Sequence, residues 1–599
     1  MDKSKINKSL AVFASVLLII IIGVASFAYF GTFNVNLNNN VAVNINAVSP
    51  GDATFISSAT QLNLQVPAAN MSFTAANKFV AAKEDTAFLD VTLTGSSNLL
   101  TTCTYDIVYE YDAGSNVYGQ GTTTKTSGAT KEITIEVNGM NGNNHFATET
   151  NFDHANIQSY YDSTNKYYKL VEGATIQSLG TEQSVRWKIT GRYYNLDGSQ
   201  AQLDGKNFTG KIYAISKGCS SEDGSSVKKS YETILANNGG AASMTTLTST
   251  DFATATTASD KGMHKTQDDL GTSYYFRGAV DNNWVKYGKY TKDTFITKDS
   301  NNNYSLIESC DGIDICYKLA SKGDDMYWRI IRINGDNSIR MIYTGTSAPD
   351  NNTKVVMTER TNSSGYIRAT SAGMSKFNQN YDNAEYVGYM YTIGEQHGTG
   401  KSSDIKTYLE NWYANYTDLN KTGTKIIDQI YCNDRTASTS ESGTAGEISS
   451  WASTGTQYAY GAGLRLYGDS SNPSPSLKCT NATDKFTTTI AKGNGKLSYS
   501  VGLITADEVN MAGADNQFNS NASYYLYIGS YYWTGSPIAF GRNQFGGGKS
   551  REFGVYDDGR LGTYDVSNDD DGMVRPVVSL SSESKLLGSG TYDDVYTVN

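Results

Sequence analysis

The chain has 599 residues, enough for roughly three or four folding units of about 150 residues each. Acidic side chains outnumber basic ones by 60 to 49, and the net charge of −11 argues against a nucleic-acid partner, which requires a basic face. Hydrophobic residues make up 39% of the chain, which is sufficient for packed cores and excludes a disordered protein. The 57 Gly and 43 Tyr are typical of β-rich surface proteins.

The first element is an apolar run without charge, Leu10 to Phe30, which follows several lysines. The run reaches the length of about twenty helical residues that crosses a bilayer, and the lysines orient the rest of the chain outward. Residues 1–30 are therefore predicted to be a signal anchor with the membrane as partner. The small residues Ser26 and Ala28 leave a cleaved signal peptide as the alternative. Either way the body is expected at the cell surface, anchored or secreted.

The cysteines support this location. Their number, six, is even, and oxidising compartments favour disulfides. Several connectivities are open, and free buried thiols are a further alternative. The pairing that keeps each bond inside one proposed domain is Cys103–Cys219, Cys310–Cys316 and Cys432–Cys479.

A first domain is predicted after an Asn-rich spacer at residues 31–53. Residues 54–219 show period-two alternation of apolar side chains, as in Leu89, Val91 and Leu93, and most clearly from Cys103 to Tyr111. Short alternating segments separated by Gly, Asn and Ser predict antiparallel strands with one buried face, and several of them predict an all-β sandwich. This region contains no catalytic constellation, so a spacing or assembly role is expected.

Residues 220–272 differ in composition. A short helix is predicted from Ser226 to Asn237, and the Thr/Ser/Ala-rich stretch from Gly239 to Asp260 lacks periodicity. This composition predicts a flexible linker or an extended crossing segment.

Residues 273–599 are predicted to form an α+β domain. Trp328 to Gly345 is a predicted hairpin turning at Asn334-Gly335 in a type I′ turn, and Ser403 to Tyr416 is a predicted helix. Thr505 to Glu508 is a capping box that opens a short helix after a strand at Val501–Ile504. The apolar face predicted for the longer helix consists of Ile405, Tyr408, Leu409, Trp412 and Tyr413.

Four ordered blocks carry a resemblance: SDIKTYLENWY at 403–413, VGLITADEV at 501–509, YYWTGSP at 531–537 and VRPVVSL at 574–580. Together they resemble a domain of unknown function from surface proteins of gut Firmicutes, which looks like a divergent C-type-lectin-like fold shared with the sulfatase-modifying factors. The N-terminal part is similar to camelysin-type fibre proteins. The resemblance implies this fold for the last domain, but fold alone does not establish function.

The chain departs from the active members of that fold. The Glu-Pro-Asn, Gln-Pro-Asp and Trp-Asn-Asp motifs of calcium-dependent lectins do not occur. The sole closely spaced cysteine pair, Cys310 and Cys316, comes early in the domain, whereas the formylglycine-generating enzymes use a late pair. The resemblance therefore implies neither lectin-type calcium binding nor copper oxidase chemistry for this chain.

The predicted recognition segment is residues 529–550. Tyr and Trp offer large rigid contact areas, and Gly, Ser and Asn form adaptable loops. The segment therefore combines aromatic side chains that can anchor a ligand with polar side chains that can hydrogen-bond to it. The alternative is that its aromatic residues belong to the core. The predicted ligand-binding residues are Tyr531, Tyr532, Trp533, Arg542, Asn543 and Gln544.

The carboxylate clusters near the C-terminus are candidates for calcium, because calcium takes six to eight oxygen ligands. The candidate ligands are Asp557, Asp565, Asp569 and Asp571. Two solvated turns are the alternative, since Asp and Gly favour turns. Otherwise no cofactor is expected, and the four scattered histidines nominate no catalytic set, so an enzyme is not expected.

Together these patterns predict a bacterial cell-surface adhesion protein in which a β-sandwich stalk carries a C-type-lectin-like head for a protein or glycan ligand. A structural subunit of a fibre or matrix, which implies self-association, is the alternative. An enzyme of the sulfatase-modifying type is a third hypothesis.

Overall fold

The computed structural model describes residues 43–45, 54–65, 81–95, 99–111, 132–139, 141–152, 154–194, 207–300, 303–313, 316–347, 349, 370–440, 451–452, 456–514, 519–541, 548–567 and 572–599. The chain divides into two compact units, Met1–Ser225 and Ser226–Asn599. The described part is rich in β-strands, as the composition predicts. None of its helices is long and apolar enough to span a membrane. The apolar run from Leu10 to Phe30 lies outside the described residues.

The first unit consists mainly of strands. They are β1 (Val43–Ile45), β2 (Thr54–Ser57), β3 (Thr60–Gln65), β4 (Ala81–Thr94), β5 (Leu99–Tyr111), β6 (Ile133–Asn138), β7 (Asn143–Asn144), β8 (Thr150–Asn151), β9 (Tyr161–Asp162), β10 (Tyr167–Ser178), β11 (Glu182–Tyr194) and β12 (Asn207–Asp223), with a single helical turn α1 (His154–Ile157).

These strands form two antiparallel sheets within the described residues, in the orders β1-β2-β4-β11-β6-β8 and β3-β12-β5-β10-β7, with β9 beside β10. Their inner faces share one core, in which Leu89, Val91 and Leu93 are fully buried. The structure thus contains the sandwich-like pair of sheets that the period-two alternation of apolar residues predicts. In the same core, the Trp187 indole donates to the Tyr105 hydroxyl at 3.1 Å.

The second unit contains strands and short helices. Its strands are β13 (Lys261–Gln267), β14 (Thr272–Gly278), β15 (Trp284–Lys289), β16 (Thr294–Lys298), β17 (Tyr304–Ile307), β18 (Cys316–Ala320), β19 (Asp325–Ile333), β20 (Ile339–Tyr343), β21 (Met390–Tyr391), β22 (Lys401–Ser402), β23 (Tyr431–Cys432), β24 (Ala437–Ser438), β25 (Tyr458–Tyr460), β26 (Lys485–Phe486), β27 (Tyr532–Phe540), β28 (Ser550–Val555), β29 (Leu561–Asp565), β30 (Val577–Leu580), β31 (Leu586–Leu587) and β32 (Tyr596–Val598). Its helices are α2 (Ser230–Asn237), α3 (Ser249–Phe252), α4 (Asp404–Tyr416), α5 (Gly461–Tyr467) and α6 (Ala506–Ala512).

The three largest sheets organise the described part of this unit, and β21-β22 and β23-β26 form two further two-stranded sheets. The largest follows β13-β14-β19-β15-β32-β31, with β20 joining β19 to β30. The second has the order β17-β16-β18, and the third has the order β24-β25-β27-β28-β29. Helix α4 begins after its N-cap Ser403 and buries Ile405, Leu409 and Trp412, which confirms the predicted helix and its apolar face. The capping box of Thr505 and Glu508 that opens α6 is also confirmed.

All three proposed disulfides are present: Cys103–Cys219, Cys310–Cys316 and Cys432–Cys479. The first joins directly paired residues of β5 and β12. Each bond lies inside one unit, which was the criterion by which the sequence selected this pairing.

Three details differ from the sequence predictions. In the hairpin β19–β20, the Asn334 N–H donates to the Ser338 carbonyl at 2.8 Å, and Asn337 has a φ of 65°. The turn is therefore longer than the predicted two-residue type I′ turn. Residues 501–504 form a single bridge at Gly502 rather than a strand. Helix α2 begins at Ser230, four residues after the predicted start.

The segment expected to be a linker is largely folded. From Ser226 onward it belongs to the second unit, and it contains α2, α3 and strand β13. Ile234 and Met244 enter the main core of that unit, and Phe252 is also buried. These widely spaced apolar side chains anchor the segment although its overall composition is polar.

Candidate functional site

The aromatic residues predicted to bind ligand are core residues. Tyr531 is 6% exposed, and Tyr532 and Trp533 are fully buried. The Trp533 indole donates to the Ser375 carbonyl at 2.8 Å, and the Arg575 guanidinium lies 4.8 Å from the centre of the Tyr532 ring. Strand β27 is buried along its whole length, so neither of its faces is available as a contact surface. These three side chains therefore occupy the core, which is the alternative that their composition left open.

The other predicted contact residues, Arg542, Asn543 and Gln544, lie outside the described residues, as do Asp569 and Asp571 of the calcium candidates. Asp565 is engaged by cations, since Lys549 Nζ lies 2.6 Å and Arg551 3.0 Å from its carboxylate oxygens. Asp557 is exposed at the turn between β28 and β29. In the described part of the chain no three His, Cys, Asp or Glu side chains are grouped to hold a metal ion. The calcium site stays a prediction.

A buried carboxyl group lies on the strand that follows the predicted recognition segment. Glu552 of β28 is fully buried, and its Oε1 accepts from the Gly388 N–H at 2.6 Å. Its Oε2 has no hydrogen-bond partner in the described part of the chain. Burial raises the pKa of Glu552 well above 4.5, against the smaller effects of the Gly388 hydrogen bond and of Arg435.

This shift makes Glu552 a source of pH-dependent stability. Because the folded state keeps the proton that the unfolded state loses, the contribution of Glu552 is complete below pH 4.5 and falls as the pH rises toward its folded pKa. Between pH 4.5 and the folded pKa, we expect the free energy of unfolding of Glu552→Gln to rise relative to that of the wild type. The expected rise is about 1.4 kcal/mol for each pH unit. Urea unfolding between pH 4 and pH 8 measures the difference. The exposed Glu395→Gln is the control, and an equal pH dependence in both variants would contradict the assignment.

A small cavity of about 30 Å³ lies among ion pairs near the start of helix α6. Arg332 bridges Asp268 at 2.7 Å and Glu508 at 2.8 Å, and Arg465 contacts Asp507 at 2.8 Å. Such a volume holds about one or two water molecules. We interpret this cluster as a structural connection between α6 and the hairpin β19–β20.

The candidate site is an open groove of about 460 Å³ between strand β17, the segment 375–379 and helix α4; we call it the polar groove. Its volume lies in the range of small-ligand sites, about 300–1,000 Å³. One wall is a helix face opposite the main core. Asp404, Thr407 and Asn411 line it and recur at positions i, i+3 and i+7 of α4, which places them on one side of the helix.

The floor of the polar groove is held by hydrogen bonds. Tyr408 of α4 donates to the Ala372 carbonyl at 2.9 Å. Gly373 makes this approach possible, because a Cβ atom there would lie 2.1 Å from the Tyr408 hydroxyl and the backbone has φ +114°. The Gln379 N–H donates to the Asp404 carboxylate at 2.6 Å. Burial raises the pKa of Asp404, while this hydrogen bond and Lys376 act in the opposite direction.

The opposite wall comes from the end of the β16–β17 turn and the start of β17. Asn303 is fixed by Asp299, which accepts from its backbone N–H at 2.8 Å and from its side-chain amide at 3.1 Å. Tyr304 is half-buried in the groove lining, and Ser305 is exposed. Lys376 Nζ lies 3.5 Å from the Asn303 side-chain oxygen.

The lining combines the apolar surface of Tyr304, Leu306 and Tyr408 with neutral amides and hydroxyls. Its two charged residues, Lys376 and Asp404, have opposite signs. Within the described chain the exposed Gln379 side chain has no protein partner. Amides and hydroxyls both donate and accept hydrogen bonds, and the Tyr304 ring offers an apolar face. The arrangement matches a neutral ligand that has many hydroxyl groups.

The polar groove is not predicted by the sequence patterns. The apolar stripe of Ser403–Tyr416 predicts the buried face of the helix, whereas the polar stripe of Asp404, Thr407 and Asn411 lies on its other side. That spacing was the available signal, but a polar helix face is normally solvated. The other wall lies about one hundred residues earlier in the chain, and local patterns do not show which distant segment faces a helix.

Comparisons with known proteins add little. No protein-family model matches the sequence, and no curated protein matches it. A solved structure with a weak likeness is the adhesin domain of Epf from Streptococcus pyogenes, which is 9% identical with a TM-score of 0.09; the match covers 49% of this chain and 75% of that chain. A likeness at this TM-score carries no argument about fold or function. The resemblance to the C-type-lectin-like fold stays a prediction.

Proposed function

We propose that this protein is a bacterial cell-surface adhesion protein whose second unit binds a saccharide in the polar groove. The polar groove itself carries the proposal: it is open, of small-ligand size and lined by amides, hydroxyls and the rings of Tyr304 and Tyr408. In this proposal the first unit is a β-rich stalk and the second unit is the head. No cofactor is invoked.

The extracytoplasmic location is supported by the three disulfides, because such bonds form and persist in oxidising compartments. The apolar run at residues 10–30 would supply the export signal. The alternative, a fibre or matrix subunit, would be favoured if purified protein assembled into filaments that sediment.

In the saccharide complex, the Tyr304 ring would pack against the apolar face of one sugar ring. Hydroxyl groups of the sugar would exchange hydrogen bonds with Gln379, Thr407 and Asn411, which line the groove from two sides. In the free protein the Thr407 hydroxyl donates to the Ser403 carbonyl, and the Asn411 side-chain oxygen accepts from the Asn415 amide. Each contact with the sugar is therefore expected to contribute modestly, and the affinity depends on their sum.

The test is binding of the purified full-length protein to an array of neutral oligosaccharides. We expect the triple variant Gln379→Ala, Thr407→Ala and Asn411→Ala to lose at least tenfold in signal, since about 1.4 kcal/mol of lost binding energy corresponds to tenfold. The exposed Thr422→Ala, outside the groove, is the matched control and should bind as the wild type does.

A second arm tests residues 542–544. If the triple alanine variant of Arg542, Asn543 and Gln544 loses binding while the groove variant retains it, the ligand site belongs to that segment and the groove assignment is wrong. Binding to protein-coated surfaces with no response to any oligosaccharide would contradict the saccharide.

A further inference from the structure

A second cleft lies elsewhere in the second unit and has a different chemistry. Its volume is about 400 Å³, and it is bordered by residues 246–249, strand β13 and the loop at 473–475. Phe252, Tyr275 and Met511 line it and form a small apolar cluster separate from the main core. We call it the Tyr275 cleft.

The Tyr275 hydroxyl is the first observation that points to a ligand. The residue is 2% exposed, and its buried hydroxyl has no hydrogen-bond partner among the residues that the structure describes. The centre of the His264 ring lies 5.9 Å from the centre of the Tyr275 ring. A buried hydroxyl without a partner is unfavourable, so the site favours a ligand that supplies a hydrogen-bond acceptor.

The charge of the lining is the second observation. Lys265 lines the cleft, and no Asp or Glu does so. In the described chain Lys265 forms no ion pair. The neighbouring Asp251 is engaged by Thr248, whose N–H and hydroxyl lie 2.8 Å and 2.7 Å from it. A cation without a carboxylate partner favours an anion, although the whole chain has a net charge of −11.

The walls of the cleft are fixed before any ligand arrives. The Arg277 guanidinium lies 5.6 Å from the centre of the Phe252 ring and donates to the Met511 carbonyl at 3.0 Å. Pro473 and Pro475 stiffen the facing loop. A preformed apolar site loses little conformational entropy on binding.

We propose that the Tyr275 cleft binds a small amphipathic carboxylate, that is, an apolar ring or chain that ends in a carboxylate. The apolar part contacts Phe252 and Met511, and a carboxylate oxygen accepts a hydrogen bond from Tyr275. The charge is compensated by Lys265. This site is independent of the polar groove, and its ligand differs from a saccharide in having an apolar body and a negative charge.

The experiment uses purified full-length protein with 3-phenylpropionate and its neutral amide, 3-phenylpropanamide, as probes in calorimetry and saturation-transfer NMR. We expect the carboxylate to bind about tenfold more tightly than the amide at low salt, and we expect added salt to reduce this difference. Equal binding of the two probes, or no binding of either at millimolar concentration, would overturn the proposal.

Variants assign the contacts. Tyr275→Phe should weaken binding of 3-phenylpropionate several-fold without lowering the melting temperature, because it removes a hydroxyl that has no partner. Lys265→Gln should abolish the preference for the carboxylate, while Lys261→Gln on the same strand should not. Unchanged binding in Tyr275→Phe and Lys265→Gln refutes the site. Thr407→Ala in the polar groove should leave 3-phenylpropionate binding unchanged, which separates failure of this proposal from failure of the proposed function.

Discussion

Replacing Cys432 and Cys479 together by serine is expected to lower the free energy of unfolding of the second unit by about 4 kcal/mol. The bond closes a loop with a sequence separation of 47, and in the chain-entropy model the loss of such a constraint stabilises the unfolded state by about this amount. Denaturant unfolding followed by tryptophan fluorescence measures it, because all tryptophans except Trp187 belong to the second unit.

The matched control is the double serine variant of Cys310 and Cys316, which have a separation of 6. The same model predicts a loss of about 2 kcal/mol for this short loop. If both double variants lose equal stability, loop length does not determine the effect. Peptide mapping under non-reducing conditions that finds six free thiols in exported protein would contradict both expectations.

Asp484→Asn is expected to destabilise the second unit by about 3–5 kcal/mol at neutral pH. Asp484 and Arg435 are both 0% exposed, and their charged groups lie 2.7 Å apart. The variant leaves the Arg435 guanidinium without a counter-charge in the interior. The exposed pair Lys229–Glu583, at 2.8 Å, supplies the control, since Glu583→Gln should change stability by under about 1 kcal/mol.

The loss in Asp484→Asn depends on pH in a defined direction. Burial by itself raises the pKa of Asp484, but the attraction of Arg435 and the hydrogen bond with His397 outweigh it, so the pKa lies below 3.8. The stabilisation by ionised Asp484 is therefore fully present above pH 3.8, and it is lost as the pH falls through the lower pKa of the folded state.

A double variant, Asp484→Leu with Arg435→Met, tests this explanation further. Removing both charges should recover much of the lost stability, because no unpaired buried charge remains. If the double variant is less stable than Asp484→Asn at neutral pH, the hydrogen bonds from Arg435 to the Met390 and Gly398 carbonyls account for the effect instead of the ion pair.

Local patterns were sufficient wherever one face of an element is buried and the other is solvated. The alternation in β4 and the helical spacing in α4 each identify one buried face, and both elements are present with the predicted sides inward. The capping box of Thr505 and Glu508 was predictable for a different reason: its hydrogen bonds connect residues three positions apart in the sequence.

Local patterns failed where burial depends on distant segments. Strand β27 is buried on both faces by other parts of the unit, so the aromatic run at 531–533 has the composition of a binding loop but the position of a core strand. The polar segment after Ser226 is folded because a few separated side chains, among them Met244 and Phe252, find apolar partners elsewhere.

The sequence by itself determined the β-rich character, the sandwich-like alternation of the first unit and the main helix, because short-range periodicity and composition encode them. The disulfide pairing needed the further assumption that each bond stays inside one domain, and the structure confirms the resulting pairs. Tertiary structure alone decided which polar residues meet. The polar groove joins Asn303, Gln379 and Thr407, and the Tyr275 cleft joins Lys265, Tyr275 and Met511. Packing of the hydrophobic core brings together residues that lie far apart along the chain. Because burial of apolar side chains drives this packing, the polar residues that become neighbours show no periodic pattern in the sequence.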